Sequence, residues 1–455
     1  MNRMNGDFLL SYARLSAALG ARIVSRVSDG NGASGGFSSV CIDSREVKPG
    51  SLFVALKGAS RDGHHYVDAA FRAGAAAAMV AASSLADGGL DLEGTAARAG
   101  AALVVVEDTL RGLQGAARVY LEQFPGLLKI ALTGSSGKTT TKEIAAAMIG
   151  CERNLVYNSG NLNSETGLPL SVFRIRPEHQ VGIFEMGMNR AGEIAELARV
   201  FKPHVALITN IGPAHIGILG SIAAILEEKK QIFCEFTGNE TALIPEDDEY
   251  RDELARGVSG KIVFYGPAHL EELGEVNDLG LEGTELAWGG ISVRFSLPGR
   301  HNLKNALAAA AIAKAAGVSA AAIRRGLESV RPLFGRTEIL RGRIPGKGGG
   351  LTLIRDCYNA NPDSTSRAIA FCDGLDWPGR KVYVAGSMLE LGEASRAAHE
   401  KMGRELAASG ADMVFLYGGE TKAAAEVMAA RAKGQKVPLF YTDVMDSLAS
   451  SLADY

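Results

Sequence analysis

The sequence predicts an α/β protein of several domains with mainly parallel sheets. The chain has 455 residues, whereas a single domain usually has roughly 100–200, so we expect two to four domains. Apolar runs rich in Val and Ile alternate with Ala-rich helical stretches, which is typical of parallel sheets covered by helices. One such run, KIALT, leads directly into the glycine turn GSSG and a helical stretch. This strand–turn–helix unit predicts that the central sheet binds phosphate.

Composition and charge exclude several other classes of protein. Lys and Arg number 48 against 51 Asp and Glu, a net charge of −3, which does not indicate nucleic-acid binding or attachment to a membrane surface. The N-terminus lacks the apolar core of a secretory signal, and no apolar run reaches the roughly 18–20 residues that span a bilayer. The five cysteines are scattered and never form a CxxC pair. We expect a cytoplasmic monomer with reduced thiols and no nucleic-acid partner.

Three blocks follow one another along the chain. The first is a small α/β unit with the segments SVCIDSREVKPGSLFVALKG and AALVVVED, and a predicted helix, Arg118–Phe124, leads from it into the second. The third carries strands at LTLIRDC, KVYVAG and MVFLYGG. The glycine-rich stretches Asp29–Gly36 and Gly346–Gly350 predict surface loops, and residues 1–35 predict no function. The expected domains are 1–117, 118–332 and 333–455.

The glycine turn has the features of a nucleotide phosphate loop. Gly134 and Gly137 allow the backbone to approach a phosphate, and the helix that begins at Lys138 offers unpaired N–H groups and a positive dipole end. The Lys138 ammonium group can contact the β- and γ-phosphates, and the Thr139 hydroxyl group can bind Mg²⁺. Leu132 stands where the general pattern has another glycine, so the chain has the shorter form T-G-x-x-G-K-T. The predicted nucleotide-binding residues are Thr133, Gly134, Ser135, Ser136, Gly137, Lys138, Thr139 and Thr140.

Two further polar residues follow predicted strands of the same block. Glu185 ends the strand Val181–Phe184, and His215 lies in the loop after the strand VALITN. Ligands gather at the carboxyl ends of parallel strands, so Thr139, Glu185 and His215 are expected to converge on one site. Oxygen ligands suit Mg²⁺, and one imidazole is tolerable. Taken alone, His215 would be an ordinary loop histidine, but together with Glu185 it is predicted to bind the metal.

Seven motifs occur in order along the chain: TGSSGKTTTKE, GNLNSETGLP, FEMGMNRAGEIAELA, TNIGPAHIG, PGRHNLKNALAA, DCYNANPDSTSRAI and MLELGEASRAAHE. Together with the N-terminal run DSREVKPGSLFVALKGASRDGHHYVDAA, they resemble the Mur ligase family from about Ser39 to the C-terminus. The resemblance implies three domains. These are a small α/β N-terminal domain that binds UDP, a central phosphate-loop NTPase-like parallel sheet, and a Rossmann-like C-terminal domain.

The charged helix Ser221–Phe236 has two interpretations. Residue types alone indicate that its run Glu-Glu-Lys-Lys is a solvated face with intrahelical ion pairs. The resemblance implies instead that Lys229 is carbamylated and holds a second magnesium ion, with Lys230 as the alternative. This chemistry is reasonable, because an amine near Mg²⁺ is pushed toward its neutral form and can then capture CO₂. The resemblance therefore adds Lys229 to the predicted catalytic groups Lys138, Glu185 and His215.

The resemblance also implies roles for residues of all three blocks. Asn302 and Asn305 lie on one helical face and match contacts to adenine or ribose, and Arg336 and Asp356 match groups that close over ATP. Ser44 and Arg45 match a motif that faces the UDP moiety, and the alternative interpretation is a polar strand end. Asn161 is expected near the transferred phosphoryl group. The remaining predicted substrate contacts are Asn359 and Asn361.

The function implied by the resemblance is ATP-dependent amide-bond formation. The run Asn359-Ala360-Asn361-Pro362-Asp363 is similar to the members that add D-alanyl-D-alanine to a UDP-N-acetylmuramoyl-tripeptide through an acyl phosphate. Two alternatives remain open: a sister ligase that adds diaminopimelate or lysine or is a folylpolyglutamate synthetase, and a phosphate-loop switch protein that hydrolyses nucleotide slowly. Whether the third peptide residue is lysine or diaminopimelate also stays open.

Overall fold

The computed structural model describes residues 8–24, 35–86, 89–343, 350–430 and 437–455. Most of each predicted glycine-rich loop, at 29–34 and 346–349, lies outside these ranges. The chain divides into two compact units. The first consists of Met1–Lys129, Asn154–Met186 and Glu196–Lys202, and the second of Ile130–Arg153, Gly187–Ala195 and Pro203–Tyr455. Within the described ranges, no helix combines the length and the apolarity that crossing a bilayer requires.

A five-stranded sheet forms the centre of the first unit. Its strand order is Arg22–Val24, Ala102–Val106, Ala77–Ala81, Ser51–Val54 and Ser39–Cys41. The first pair is antiparallel and the others are parallel. The inner strands are apolar and buried without alternation, which is typical of a parallel sheet covered on both faces. Further elements are the paired strands Leu10–Ser11 and Gly36–Phe37 and the helices Tyr12–Leu19, Val67–Arg72, Ala82–Ala86 and Leu92–Ala99.

The helix that follows this sheet begins earlier than the sequence predicted. It spans Thr109–Leu121 rather than Arg118–Phe124, because Asp108 caps it by accepting a hydrogen bond from the backbone N–H of Arg111. An aspartate at this position is a strong helix start, and it is the signal that the prediction overlooked. The first unit also contains the helix Gly167–Val172 and the parallel strands Leu155–Tyr157 and Val181–Glu185.

Four parallel strands run through the second unit. Their order is Lys261–Tyr265, Thr241–Pro245, Val205–Ile208 and Leu128–Thr133, so their carboxyl ends meet at one edge. The helices Arg300–Ala315 and Ala320–Ser329 both pack against Lys138–Ile149. The Ala-rich run 306–313 is buried throughout, as predicted for a packed helix. Other helices are Ile216–Leu219, Ile222–Lys230 and Arg251–Ala255, and the helix Glu193–Phe201 begins in this unit and ends in the first.

The second unit also contains an antiparallel sheet that sequence reasoning missed. Its strands are Leu273–Asp278, Thr284–Trp288 and Ile291–Phe295. Gly289 and Gly290 connect the last two strands with φ values of 58° and 76°. A two-residue hairpin turn of this kind needs positive φ at both positions, which the Gly-Gly pair allows. That pair is the sequence signal for the hairpin.

The C-terminal part of the second unit has two small sheets. Glu338–Arg343 and Gly350–Arg355 form an antiparallel pair, and Val382–Gly386, Met413–Tyr417 and Leu439–Thr442 form a parallel sheet. A core that includes Met402, Leu406 and Leu416 lies under the second sheet. The helices here are Pro362–Asp373, Ser395–Ala408, Lys422–Ala430 and Met445–Asp454. All three strands predicted for this part therefore form.

Candidate active site

The phosphate loop connects its strand and helix as predicted, and its two glycines cannot be replaced without strain. Gly134 has a φ of 151° and Gly137 a φ of 80°. A Cβ atom on Gly134 would collide with Oγ1 of Thr209, and one on Gly137 would collide with Oδ1 of Asn305. Glycine is needed at both positions because the backbone conformation and the close approach each exclude a side chain.

The end of the neighbouring strand holds the loop in place. The backbone N–H of Ser136 donates to Oδ1 of Asn210 at 3.1 Å, and Nδ2 of Asn210 donates back to the Ser136 carbonyl oxygen at 3.0 Å. The Ser135 hydroxyl group donates to the Gly212 carbonyl oxygen and accepts the Gly212 N–H, both at 2.9 Å. Sequence reasoning missed Asn210, although it lies in the same motif as His215. The buried side chains of Thr133 and Thr140 flank the loop.

Two lysines reach the same carbonyl oxygen of the loop. Nζ of Lys138 donates to the Gly134 oxygen at 2.8 Å, and Nζ of Lys229 donates to it at 3.1 Å. Lys229 is only 1% exposed. Burial, together with the positive charge of Lys138, lowers the pKa of Lys229 well below its usual value. The arrangement therefore favours the neutral, nucleophilic form of the Lys229 amine.

The helix that carries Lys229 does not present its charged run as a solvated face, so the interpretation from residue types alone was wrong for Glu228 and Lys229. Glu228 is buried, and its carboxylate accepts the backbone N–H groups of Gly192 at 2.7 Å and Ile194 at 2.9 Å. These groups lie at the start of the helix Glu193–Phe201, where a carboxylate is favoured by the helix dipole. Lys230 faces elsewhere, since its Nζ donates to the carbonyl oxygen of Glu253 at 2.7 Å. Tertiary partners, which the charge pattern does not reveal, explain the burial.

His215 lies in a left-handed backbone conformation, with a φ of 66°. Its Nδ1 is 3.1 Å from Oε2 of Glu390, which also has a positive φ, of 62°. Burial lowers the pKa of His215, and the positive charges of Lys229 and Lys138 lower it further against the opposing effect of Glu390. The neutral imidazole, which is the form that binds a metal ion, is therefore favoured. Sequence reasoning assigned no role to Glu390.

Arg336 of the third block contacts the first turn of the helix after the phosphate loop, and Asp356 holds the backbone next to Arg336. Nη2 of Arg336 donates to Oγ1 of Thr139 at 3.1 Å, and its guanidinium group lies 4.2 Å from the ring centre of Tyr358. Oδ1 of Asp356 accepts the backbone N–H of Thr337 at 3.0 Å. The Arg336 guanidinium group is therefore oriented by its hydrogen bond to the Thr139 hydroxyl group and by its stacking on the Tyr358 ring.

The two predicted adenine or ribose contacts differ in their surroundings. Asn302 is buried, and its Nδ2 donates to the Pro298 carbonyl oxygen at 2.8 Å while its Oδ1 accepts from Asn305 at 3.3 Å. Both polar atoms of the Asn302 side chain thus have partners within the fold. Oδ1 of Asn305 lies against Gly137, so this side chain is the one that adjoins the phosphate loop.

The predicted substrate contacts of the third block have local partners. Asn361 caps the helix Pro362–Asp373, because its Oδ1 accepts the Ser364 N–H at 2.9 Å while the Ser364 hydroxyl group accepts the Asn361 N–H. This capping box is readable from the sequence N-P-D-S. Oδ1 of Asn359 accepts the Ala360 N–H at 2.9 Å, and Asn359 is exposed.

In the first unit, Glu185 is held by two asparagines. Nδ2 of Asn163 donates to Oε1 of Glu185 at 2.8 Å. Asn158 binds the Glu185 backbone, accepting its N–H at 3.0 Å and donating to its carbonyl oxygen at 2.9 Å. The predicted residue Asn161 is exposed. Sequence reasoning assigned no role to either asparagine. Asn158 lies just before the motif GNLNSETGLP, and Asn163 belongs to it.

Ser44 and Arg45 lie in a short 3₁₀ helix, Ser44–Glu46, after the strand Ser39–Cys41. The Arg45 side chain is 86% exposed and bonds Asp43, whose pKa these hydrogen bonds lower to about 2. A cleft of about 380 Å³ adjoins them, lined by Ser39, Val40, Cys41, Glu46, Lys48 and Ser51. Glu46, the last residue of the same 3₁₀ helix, lines this cleft, whereas Ser44 and Arg45 do not.

The side chains near the phosphate loop suit magnesium, which needs few protein ligands, better than a metal ion held entirely by protein groups. Within the described ranges, no three His, Cys, Asp or Glu side chains lie close enough to hold a metal ion together. Mg²⁺ commonly takes one or two protein ligands, with phosphate and water oxygens completing its shell. The Thr139 hydroxyl group, the neutral His215 ring and the deprotonatable Lys229 amine fit that pattern.

The parallel sheet and its cation-lined loop define a phosphate-loop nucleotide-binding α/β protein. Residues 37–114 match the catalytic domain of the Mur ligase family, 132–313 the Mur ligase middle domain, and 335–454 the Mur ligase glutamate ligase domain. The chain belongs to the Mur ligase family. The predicted three-domain α/β fold with parallel sheets is thereby confirmed.

Individual relatives agree with this family. The UDP-N-acetylmuramoyl-tripeptide–D-alanyl-D-alanine ligase of Treponema pallidum is 44% identical over 412 residues, covering 90% of this chain and 86% of the relative. The crystal structure of MurF from Acinetobacter baumannii superimposes with a TM-score of 0.81 at 29% identity, over 98% of this chain and 99% of that one. MurF ligase from Thermotoga maritima, solved with ADP, has a TM-score of 0.73 at 29% identity, over 91% of each chain.

Proposed function

We propose that this chain uses ATP to join D-alanyl-D-alanine to the terminal carboxylate of a UDP-N-acetylmuramoyl-tripeptide, a step of peptidoglycan synthesis. The names of the relatives support this reaction, and the ADP in the Thermotoga maritima structure supports the nucleotide. The observation that carries the proposal is the phosphate loop itself. Lys138 and Lys229 meet at the Gly134 oxygen, and Arg336 reaches Thr139 from the third block.

ATP is needed because a carboxylate is a poor electrophile and has no good leaving group. The terminal carboxylate of the tripeptide attacks the γ-phosphorus, which gives an acyl phosphate and releases ADP. The amine of D-alanyl-D-alanine then attacks the acyl carbon and expels phosphate. Negative charge is spread over phosphoryl oxygens in both steps, and Lys138 and the loop N–H groups offset it by preorganised electrostatics.

Two Mg²⁺ ions are part of the proposal. Thr139, Glu185, His215 and Lys229 as its carbamate are the proposed ligands. Magnesium supplies charge neutralisation of the phosphoryl oxygens. The burial and lowered pKa of the Lys229 amine support carbamylation, because only a neutral amine captures CO₂. Lys230 is the weaker choice, since its Nζ is held by the Glu253 carbonyl oxygen.

The proposed substrate contacts fall in both units. Ser44 and Arg45 bind the UDP moiety beside the cleft of the first unit, and Asn161 contacts the transferred phosphoryl group. Asn305 and Arg336 contact the nucleotide together with the phosphate loop. Further proposed contacts are Asn302 and Asp356 for ATP and Asn359 and Asn361 for the substrates.

Three wider features complete the proposal. The domains are 1–117, 118–332 and 333–455, with the first boundary falling inside the helix Thr109–Leu121.

The enzyme works as a monomer in the cytoplasm, where ATP is available. All five cysteines are free thiols, which suits a reducing compartment. Light scattering of the purified protein measures the oligomeric state.

An amine-selection assay tests the proposed reaction. The purified chain is incubated with Mg·ATP, a UDP-N-acetylmuramoyl-tripeptide containing lysine or diaminopimelate, and one candidate amine at a time. Release of ADP and phosphate that depends on both the tripeptide and D-alanyl-D-alanine is expected. Release that depends on diaminopimelate, lysine or glutamate would assign a sister reaction, and slow release without any UDP-linked substrate would indicate a switch protein.

A further inference from the structure

A second arginine of the third block contacts the phosphate loop. Arg367 lies in the helix Pro362–Asp373, and its Nη1 donates to Oγ of Ser136 at 3.1 Å. A guanidinium group has five N–H donors in a planar fork, of which this contact uses one. The nearest carboxylate oxygen is Oδ2 of Asp363, 4.0 Å from Nη2, which is an ion pair but exceeds hydrogen-bond distance. The side chain remains 43% exposed, so a ligand can reach the group.

The position of this arginine on the loop is well defined. Ser136 is held on both sides of its backbone by the Asn210 side chain, so its hydroxyl group is a fixed point. Asp363, one turn before Arg367 on the same helix, lies directly against Gly212, where a Cβ atom would collide with its carboxylate. The helix face with Arg367 therefore covers the loop on the side of the segment that carries His215.

Arg336 approaches a different part of the loop. It contacts Thr139 in the first turn of the helix, and Asn305 lies against Gly137. Arg367 contacts Ser136, before that helix begins. The two arginines thus reach the loop from different sequence segments and at different residues, so they have separate targets along a bound triphosphate.

The electrostatic surroundings indicate an anionic ligand. Lys138 and Lys229 already place two amines at the Gly134 oxygen, and Arg367 adds a permanent positive charge two residues further along the loop. The charge of Arg367 also contributes, after burial, to lowering the pKa of His301 to about 4. An anion bound at the loop would offset the repulsion between the positive charges of Lys138 and Arg367.

We propose that Arg367 is a further phosphate-binding residue, which donates hydrogen bonds to the terminal phosphate group of ATP. A planar guanidinium fork matches two phosphoryl oxygens, and the side of the loop that it covers is the side of the His215 segment. This inference rests on the proposed function, because it assigns a contact within the same ATP site. Arg367 adds a contact to the transferred phosphoryl group from the third block.

Nucleotide affinity measured by calorimetry tests this contact. Arg367→Ala is expected to weaken binding of a non-hydrolysable ATP analogue about tenfold or more and ADP less than threefold, because ADP lacks the terminal phosphate. Arg367→Lys, which keeps the charge but loses the fork, is expected to fall in between. Arg404→Ala is the matched control, since Arg404 is an exposed arginine on the helix Ser395–Ala408.

The outcomes separate this inference from the proposed function. Equal losses for the analogue and ADP in both Arg367 variants, with far-ultraviolet circular dichroism like the wild type, would reduce Arg367 to a loop-supporting residue and overturn the inference. Unchanged affinities would overturn it as well. In either case, the proposed function would still hold if the wild type releases ADP only in the presence of D-alanyl-D-alanine. If the wild type shows no such dependence, the proposed function itself is wrong.

Discussion

The side-chain nitrogen of Lys229 and that of Lys138 share one acceptor, the carbonyl oxygen of Gly134, at 3.1 Å and 2.8 Å. Lys229 is buried, and bringing two cationic groups to one dipole is unfavourable unless one of them loses its proton. The lowered pKa of Lys229 is the expected consequence. A buried amine of this kind is a reactive group.

Replacing Lys138 should disable the use of ATP. We expect Lys138→Ala to lose roughly a hundredfold or more in ATP-dependent turnover, because a preorganised cation at the transferred phosphate is removed. Lys401→Ala is the control, since Lys401 is an exposed lysine on the helix Ser395–Ala408 and pairs with Glu405. Near-normal turnover of the Lys138 variant in a coupled ADP-release assay would contradict the phosphate-loop assignment.

The carbamate hypothesis predicts chemical rescue of Lys229. We expect Lys229→Ala to be inactive and to regain part of its activity with small carboxylic acids, which can replace the carbamate oxygens. Lys230→Ala is the matched control, because its Nζ contacts Glu253 instead of the loop, and it should retain most activity. Full activity of Lys229→Ala without any added acid would eliminate the hypothesis.

Acid should destabilise the fold through His301. Burial lowers the pKa of His301 to about 4, against about 6.5 in the unfolded chain. Above pH 6.5 the ring is neutral in both states; between 6.5 and 4 only the unfolded chain takes up the proton, so stability falls as the pH falls. At pH 4.5 the loss attributable to His301 is roughly 2–3 kcal/mol.

Denaturant unfolding of the wild type and His301→Gln at pH 7 and pH 4.5 measures this effect. The variant should lose less stability on acidification than the wild type. His65→Gln, at an exposed histidine, should behave like the wild type. Identical losses for the wild type and His301→Gln would show that the half-buried His301 ring does not control the acid response.

The contact between the His215 segment and the third block should be intolerant of a methyl group. A Cβ atom on Gly217 would collide with the backbone of Leu391 and Gly392. We expect Gly217→Ala to cost about 1–3 kcal/mol of stability and to lower turnover more than tenfold, because His215 is displaced. Gly342→Ala, where a Cβ atom meets open space, is the control. Wild-type turnover in Gly217→Ala would mean that this packing is irrelevant to catalysis.

Local sequence patterns were sufficient to predict the phosphate loop. They were not sufficient to predict the contacts that its residues make with distant parts of the chain. The strand, the two glycines and the helix at Lys138 are encoded within one short segment, and they form as expected. The burial of Lys229 could not be derived from its charged neighbours, because it depends on Gly134 and on the cap that Glu228 provides to a separate helix. The resemblance to a family supplied what periodicity could not.

Contacts made across long stretches of sequence account for the other omissions. Arg367 and Ser136 are 231 positions apart, and Arg367 has no distinctive local motif. Asn361 is a contrasting case. Its capping box involves only nearby residues and is visible in the sequence, but the sequence analysis considered Asn361 only as a substrate contact. Propensity and spacing identify local structure, but they do not show which distant side chain meets which loop.

Calorimetric titration of the purified protein with Mg·ATP tests the central claim most directly, namely that Gly134 to Thr139 bind the triphosphate. We predict saturable binding of one nucleotide per chain, strongly weakened in Lys138→Ala and unchanged in Lys401→Ala. A wild-type protein without measurable heat of binding, or equal affinity in the wild type and Lys138→Ala, would contradict it.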